Sequence, residues 1–558
     1  MAIEIGLGGF RLRGLAGLLL GLAAALPAVA APKTVCTVTI NSTDEREMFQ
    51  RHLPPDQYRF VELVQRGKPD WFGDACRRGV TCDALIISGH FDDGTEFYTD
   101  RFENREFLTV HEMQRASCSA SCSSLFSQLK EVYLFGCNTL KSDPRHVASA
   151  EIERSLLRAG HSQADAQRVA ALLDARYGES NRERIRHIFK DVPVLYGFSS
   201  KAPLGHVAGP LLERYFQRAP ASEVASGRAS ATLLELFGPT SMVSVAGLTD
   251  AEPHASFRGD MCGLADDRPS DAQKVAFMHE VLRRDVTDVR MFLDHLERFA
   301  ASLGAAQRAR PEVAATLARI AADRATRERY LEFARDADRA AVQARMMALA
   351  RALDWLTPQQ EHDEFVRMLA DRMRRDAIGK HEVDLVCSSQ ASTQPELLQR
   401  VLDAGAARSD RVAHAAVLAC LGDPRAHERT VQALTGANGD DVETAQVYLR
   451  HRPLAGVDEV RAVTSNIGRM SVAAAQVRAL ETLAKQRLAD PQSLQEIARL
   501  FPRARSLQVQ RAIAGILIRS DLQMLARADL ARSLRQHRLK SPDGHDVIDV
   551  LIRLLQSA

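Results

Sequence analysis

The sequence predicts an α/β domain with a mainly parallel sheet, followed by an all-α solenoid. Three observations predict it. Between residue 33 and about residue 260, short apolar runs alternate with helical patterns, as expected of βαβ units. After about residue 268 the strand signals cease, and Ala, Leu and Arg recur at helical spacing. From Pro395 onward similar units repeat: Val412, Val442, Val472, Val509 and Val547 open comparable helices at intervals of 30, 30, 37 and 38 residues. Repeats of that period indicate stacked helix pairs.

The elements follow in order. Arg11 and Arg13 precede the apolar stretch Gly14 to Leu26, Pro27, and the small-residue signal Ala28-Val29-Ala30. This reads as a signal peptide over residues 1–30, with cleavage favoured over an uncleaved anchor because the apolar core is short and ends in proline. Val35 to Ile40 is a short β-branched strand, and Asp44 to His52 a helix capped by Ser42 or Thr43. Tyr58 to Val64, Cys82 to Ser88 and Glu131 to Phe135 are further strands; Arg145 to Arg158 and Ala164 to Tyr177 are amphipathic helices; Val192 to Phe198 is another strand. The expected divisions are an α/β domain over 31–265, a helical connector or degenerate repeats over 266–394, and helical repeats over 395–558. Polar breaks such as Gly422-Asp423-Pro424 and Asp490-Pro491 separate the repeat helices. This part resembles HEAT-type repeats, which implies a surface for recruiting a protein partner.

Composition narrows the function. A chain of 558 residues is too long for one core. A formal net charge of +2 gives no whole-molecule attraction to nucleic acid or acidic membranes. Two Trp and eight Tyr offer no stacking platform for single strands, and the basic cluster Arg182 to Arg186 reads as a solvated helix face. After the leader no apolar run reaches eighteen residues, so no membrane span is expected. Nine cysteines in an exported, disulfide-permissive chain leave at least one thiol free or paired between chains. Cys76 with Cys82 and Cys118 with Cys122 are candidate short-range bridges. Cys137 is a candidate free thiol, against a structural disulfide at the same position. His111, Cys118 and Cys122 match no standard zinc spacing. There is no phosphate-cradling glycine loop and no serine-centred nucleophile elbow, so no metal or cofactor is expected.

Two strand-like runs end in the same way. Leu85-Ile86-Ile87-Ser88-Gly89 leads to His90, and Val132-Tyr133-Leu134-Phe135-Gly136 leads to Cys137. Ligands of open α/β sheets bind beyond the carboxyl ends of parallel strands. An imidazole and a thiol at two such ends suit a base and a nucleophile. Forty-seven residues separate them, close to the roughly 50 between histidine and cysteine in caspases. This strand-Gly-His and strand-Gly-Cys pattern resembles the caspase-haemoglobinase superfamily of cysteine peptidases, and Gly136-Cys137-Asn138-Thr139 is similar to a segment of its CHAT domains. The resemblance covers roughly residues 80–205.

The resemblance implies roles. Cys137 attacks a scissile carbonyl as thiolate, and His90 exchanges the proton, which suits a side chain whose ordinary pKa is near 6.5. Backbone amides near Cys137 and Phe91, set by Gly89 and Gly136, stabilise the oxyanion. The family places glycine directly after the histidine; Phe91 stands there in this chain. The strand ending at Ser199 walls the pocket for the substrate side chain, with Tyr196, Ser199 and Ser200 facing it. Asp92, Asp93 and Glu96 lie just past His90, where a polar turn is favoured over orienting the imidazole or attracting a basic substrate residue. The expected protein is an exported, periplasmic or secreted peptidase acting on proteins or peptides, or else a binding scaffold of the same architecture.

Overall fold

The computed structural model describes residues 31–558 apart from 92–93, 100–105, 144–147, 179, 390–398, 403–410, 487, 541–545 and 558. The expected leader and the Asp92-Asp93 pair lie outside the described residues. The chain forms two compact units. One comprises the residues up to Ser117, Ser121–Ser142 and Ile188–Leu248; the other comprises Cys118–Ala120, Asp143–His187 and Thr249–Ala558. The first is an α/β unit and the second is helical.

The α/β unit is built on strands β1 (Lys33–Thr39), β2 (Tyr58–Glu62), β3 (Ala84–Ser88), β4 (Glu96–Tyr98), β5 (Phe107–Thr109), β6 (Glu131–Phe135), β7 (Val194–Phe198) and β8 (Met242–Val245). Six of them make one sheet in the order β2-β1-β3-β6-β7-β8. All neighbours are parallel except β7 and β8. The central strands β3, β6 and β7 are buried at every residue, which is why they read as continuous apolar runs rather than as alternation. On one face, helix α1 (Asp44–His52) brings Phe49 within 5.1 Å of the Tyr133 ring, and Tyr133 stacks on Tyr196 at 4.9 Å. The helix Gly205–Arg218 adds Leu212 and Tyr215 to the same core.

Register is the feature that matters most for function. Thr39 of β1 pairs with Ser88 of β3, and Ser88 pairs with Phe135 of β6. Two residues past those three partners, at the carboxyl edge, come Asn41, His90 and Cys137. The strands β4 and β5 form a small antiparallel ribbon, and His90 bridges to Tyr98 of β4. This ribbon and β8 were not expected from the sequence.

The helical unit takes in Ala148–Arg158 and Gln163–Tyr177, expected in the α/β domain. Their apolar residues explain the grouping: Ile152, Leu173 and Tyr177 join a core with Met261, Phe292 and Trp355 and not with the sheet. Further along, Val412–Cys420, Gly439–His451, Ala473–Ala484 and Leu507–Ile518 alternate with Pro424–Ala433, Val457–Ile467, Pro491–Leu500 and Arg527–His537. One continuous core runs through them, including Val417, Tyr448, Leu480, Ile513 and Leu551. The polar breaks are helix starts: Asp423 accepts from the amides of Arg425 and Ala426, Asp490 from that of Ser493, each followed by proline in the first turn. The result is a solenoid-like stack of helix pairs.

Four disulfides form: Cys36–Cys82 and Cys76–Cys122 in the α/β unit, Cys118–Cys262 and Cys387–Cys420 in the helical unit. The expected short-range bridges Cys76–Cys82 and Cys118–Cys122 are corrected, because the fold brings each of these cysteines against a partner distant in sequence. Cys137 is the free cysteine, half-buried. Four disulfides suit an oxidising compartment. Among the described residues no helix is long and apolar enough to cross a membrane.

Candidate active site

His90 and Cys137 line one narrow cleft at the carboxyl edge of the sheet, together with Asn41, Ser42, Glu45, Gly89, Phe135 and Gly136. The far wall is the segment Ala202-Pro203-Leu204-Gly205. The cleft holds about 40 Å3, room for a few waters.

The strand ends approach one another closely. A Cβ on Gly136 would lie 2.8 Å from the Cβ of Phe91 and 2.9 Å from the carbonyl oxygen of Gly89. Only glycine therefore lets β6 deliver Cys137 beside the turn that carries His90. Gly205 is needed for a similar reason, since a Cβ there would collide with the Ser42 side chain. The turn after the cysteine is pinned at several points. Asn138 has φ 60°, in the left-handed region that Asn tolerates, and its amide donates to the Ser200 carbonyl at 2.6 Å. Thr139 Oγ1 donates to the Gly136 carbonyl and accepts from the Phe198 amide at 3.0 Å. The Ala202 amide donates to the Cys137 sulfur at 3.4 Å.

His90 is held from two sides. Its backbone exchanges hydrogen bonds with Tyr98, at 2.9 and 3.0 Å. Asn41 Nδ2 lies 3.0 Å from Nε2 of the ring, and the Thr99 hydroxyl donates to Asn41 Oδ1 at 2.9 Å. Asn41 thus holds the imidazole at Nε2, with Thr99 fixing which way the amide lies, and proton exchange falls to Nδ1.

Glu45, in the first turn of α1, is 2% exposed. Burial pushes its carboxyl up to about 7, against the lowering effect of its own amide and the Ser42 and Ser88 hydroxyls. Among the described residues its Oε2 has no hydrogen-bond partner.

The other expected residues divide between the cleft and its surroundings. Gly89 lines the cleft, while Phe91 is buried, its ring 4.6 Å from that of Phe97. Tyr196 does not wall the cleft. It points into the helix-covered core, where its hydroxyl accepts from the Ser230 amide at 2.7 Å and burial raises its pKa. Ser199 and Ser200 turn toward Ser241 instead, with Ser200 Oγ 2.8 Å from Ser241 Oγ. The wall expected from β7 comes from the next loop, because β7 pairs with β8 on that side. Cys118 and Cys122, weighed for zinc, are both in disulfides. Sequence reasoning missed Asn41, Thr99, Glu45 and residues 202–205. A larger groove of about 650 Å3 lies among the helices of the second unit, lined by Met347, Phe365 and Met368, and contains no cysteine.

Comparison with known proteins finds no family model, no characterised protein and no solved structure that matches the chain.

Proposed function

We propose that the chain is an exported cysteine peptidase of caspase-like design, periplasmic or secreted, with HEAT-like helical repeats that recruit its protein substrate or a protein partner. The observation that carries this reading is the shared register of Asn41, His90 and Cys137, which lines up an orienting amide, an imidazole and the free thiol at the edge where α/β sheets bind ligands. Cys137 transfers its proton to His90, and the thiolate adds to the scissile carbonyl carbon. The oxyanion falls to backbone amides at the strand ends, and the C–N bond breaks as His90 returns the proton to the leaving amine. Water then adds to the thioester, and the C–S bond breaks to release the acid and restore the thiol.

Alkylation tests this. Iodoacetamide should label Cys137 in the folded protein near pH 7, and His90→Ala should slow the labelling about tenfold. Cleavage of unfolded protein substrates should vanish in Cys137→Ser. A folded protein whose Cys137 resists alkylation would refute the peptidase. The second reading, a binding scaffold without catalysis, is favoured by one feature: Phe91, buried against Phe97 and the Gly136 backbone, narrows the edge where an oxyanion must sit. A labelled but non-cleaving protein would support it.

A further inference from the structure

Resting on that reading, we propose that Glu45 makes the cleft selective for a cationic side chain, so that the substrate residue entering beside Cys137 is lysine or arginine. The argument begins with a carboxyl that the fold treats oddly. Helix starts favour acids, because the exposed amides and the helix dipole attract negative charge, but an acid supplies that benefit from the solvent side. Glu47 in the same turn is exposed. Glu45 instead lies one turn before Phe49, and both are buried. A buried carboxyl is ordinarily saturated with donors, yet Oε2 of Glu45 has none. The groups that act most strongly on it are its own amide, Ser42, Asp44 and Ser88, and none is a cation.

The cleft around it is complementary to one kind of guest. Among the described residues that line it Glu45 is the only acid, and none is a lysine or arginine. An acidic guest would meet a like charge at close range. An apolar guest would leave Oε2, already closed to water, without a donor. A cation supplies the missing donor and the opposite charge at once. The walls fit the rest of such a side chain: Phe135, Pro203 and Leu204 offer apolar surface to a methylene stem, whose charged head remains at the polar end. Ionisation of Glu45 is also drawn toward completion by the guest, so recognition and charge reinforce one another.

The experiment compares capture of Cys137 by tripeptide acyloxymethyl ketones that differ only in the residue next to the reactive carbon: lysine, arginine, norleucine or aspartate. Rates are read by intact mass in the full chain, in Glu45→Gln and in Glu45→Asp, with each variant's own norleucine rate as the reference. Binding of N-acetyl-lysine methylamide and N-acetyl-arginine methylamide to Cys137→Ser and to Cys137→Ser with Glu45→Gln is measured by calorimetry. The expected result is a preference for lysine or arginine over norleucine of about tenfold or more. That preference should fall to about one in Glu45→Gln and persist in part in Glu45→Asp. Equal capture of all four ketones overturns the selectivity while leaving the nucleophile intact. No capture of any ketone, with amide binding that depends on Glu45, overturns the peptidase and upholds the cation site. Binding or preference unchanged by Glu45→Gln overturns the assignment of Glu45.

Discussion

Two carboxylates sit at opposite edges of the same sheet, equally buried and oppositely served. Glu131, the first residue of β6, is 0% exposed and accepts from the amides of Ala225, Ser226 and Gly227 at 2.9, 2.9 and 3.0 Å, besides the Ser226 and Tyr133 hydroxyls. Glu45, beyond the end of β1, keeps one oxygen without any partner. The difference separates two uses of burial. At the amino edge a saturated carboxylate fixes a loop onto the sheet and serves stability. At the carboxyl edge, an unsatisfied group is a free-energy reserve that a ligand can release.

The sharpest way to break this contrast is to remove both charges and compare. Glu131→Ala leaves three loop amides without their acceptor, each a buried donor whose isolation costs about 1–3 kcal/mol. We expect a loss of about 4 kcal/mol, read from urea denaturation midpoints. Glu45→Gln removes no saturated acceptor and should cost under about 1 kcal/mol in the same assay at pH 4.5, where the buried Glu45 is protonated. Equal losses would mean that both acids are structural.

Acid titration sharpens the comparison further. The Glu45 carboxyl titrates at about 7 in the folded protein, against 4.5 when unfolded. Between those values the folded chain holds a proton that the unfolded chain has released, so stability falls as pH rises. The stability associated with protonated Glu45 is fully present below about pH 4.5 and is lost by about pH 7, a change of roughly 3 kcal/mol. Stability against pH in wild type minus that in Glu45→Gln isolates this slope. A difference curve that is flat from pH 4.5 to 7 would show that Glu45 is solvated.

The contrast also explains which parts of the molecule the sequence disclosed. The strands β3, β6 and β7 were legible because burial on both faces makes each a largely apolar run, β1 because Val35 to Ile40 is rich in β-branched residues, and glycine before His90 and Cys137 marked two strand ends. The ribbon of β4 and β5 was not, since three residues each, such as Glu96-Phe97-Tyr98, carry too little pattern to stand out. Cysteine pairing was illegible because Cys76 meets Cys122 through the fold, although Cys82 is far nearer in sequence. Glu45 hid inside Asp44-Glu45-Arg46-Glu47, which reads as an ordinary acidic helix start. One signal was present: Glu45 and Phe49 share a helix face at spacing four, so a buried Phe49 implies a buried Glu45. Asn41 became legible only through register, because nothing local shows that β1 lies beside β3. The far wall was misplaced for a related reason, since β8 occupies the side of β7 that Ser199 and Ser200 were expected to open.

The smallest expected effects concern how the imidazole is held. Asn41 touches the ring and Thr99 fixes the orientation of Asn41, so the two should act in series and unequally. Asn41→Ala removes the contact itself and should slow capture of Cys137 by peptide ketones about tenfold. That is the size expected when one hydrogen bond that orients a catalytic group is lost. Thr99→Val leaves Asn41 beside Nε2 but frees its amide to turn over, and should slow capture only about twofold. Both should shift urea midpoints little, Thr99→Val removing one partly buried bond and Asn41→Ala two. The double variant should match Asn41→Ala alone if Thr99 works through Asn41. Additive losses would give Thr99 a separate role at the site. Normal rates in all three variants would mean that the backbone pairing with Tyr98 alone positions His90. Asn41 would then join Glu131 as a structural group, and the carboxyl edge would keep Glu45 as the residue that sets it apart.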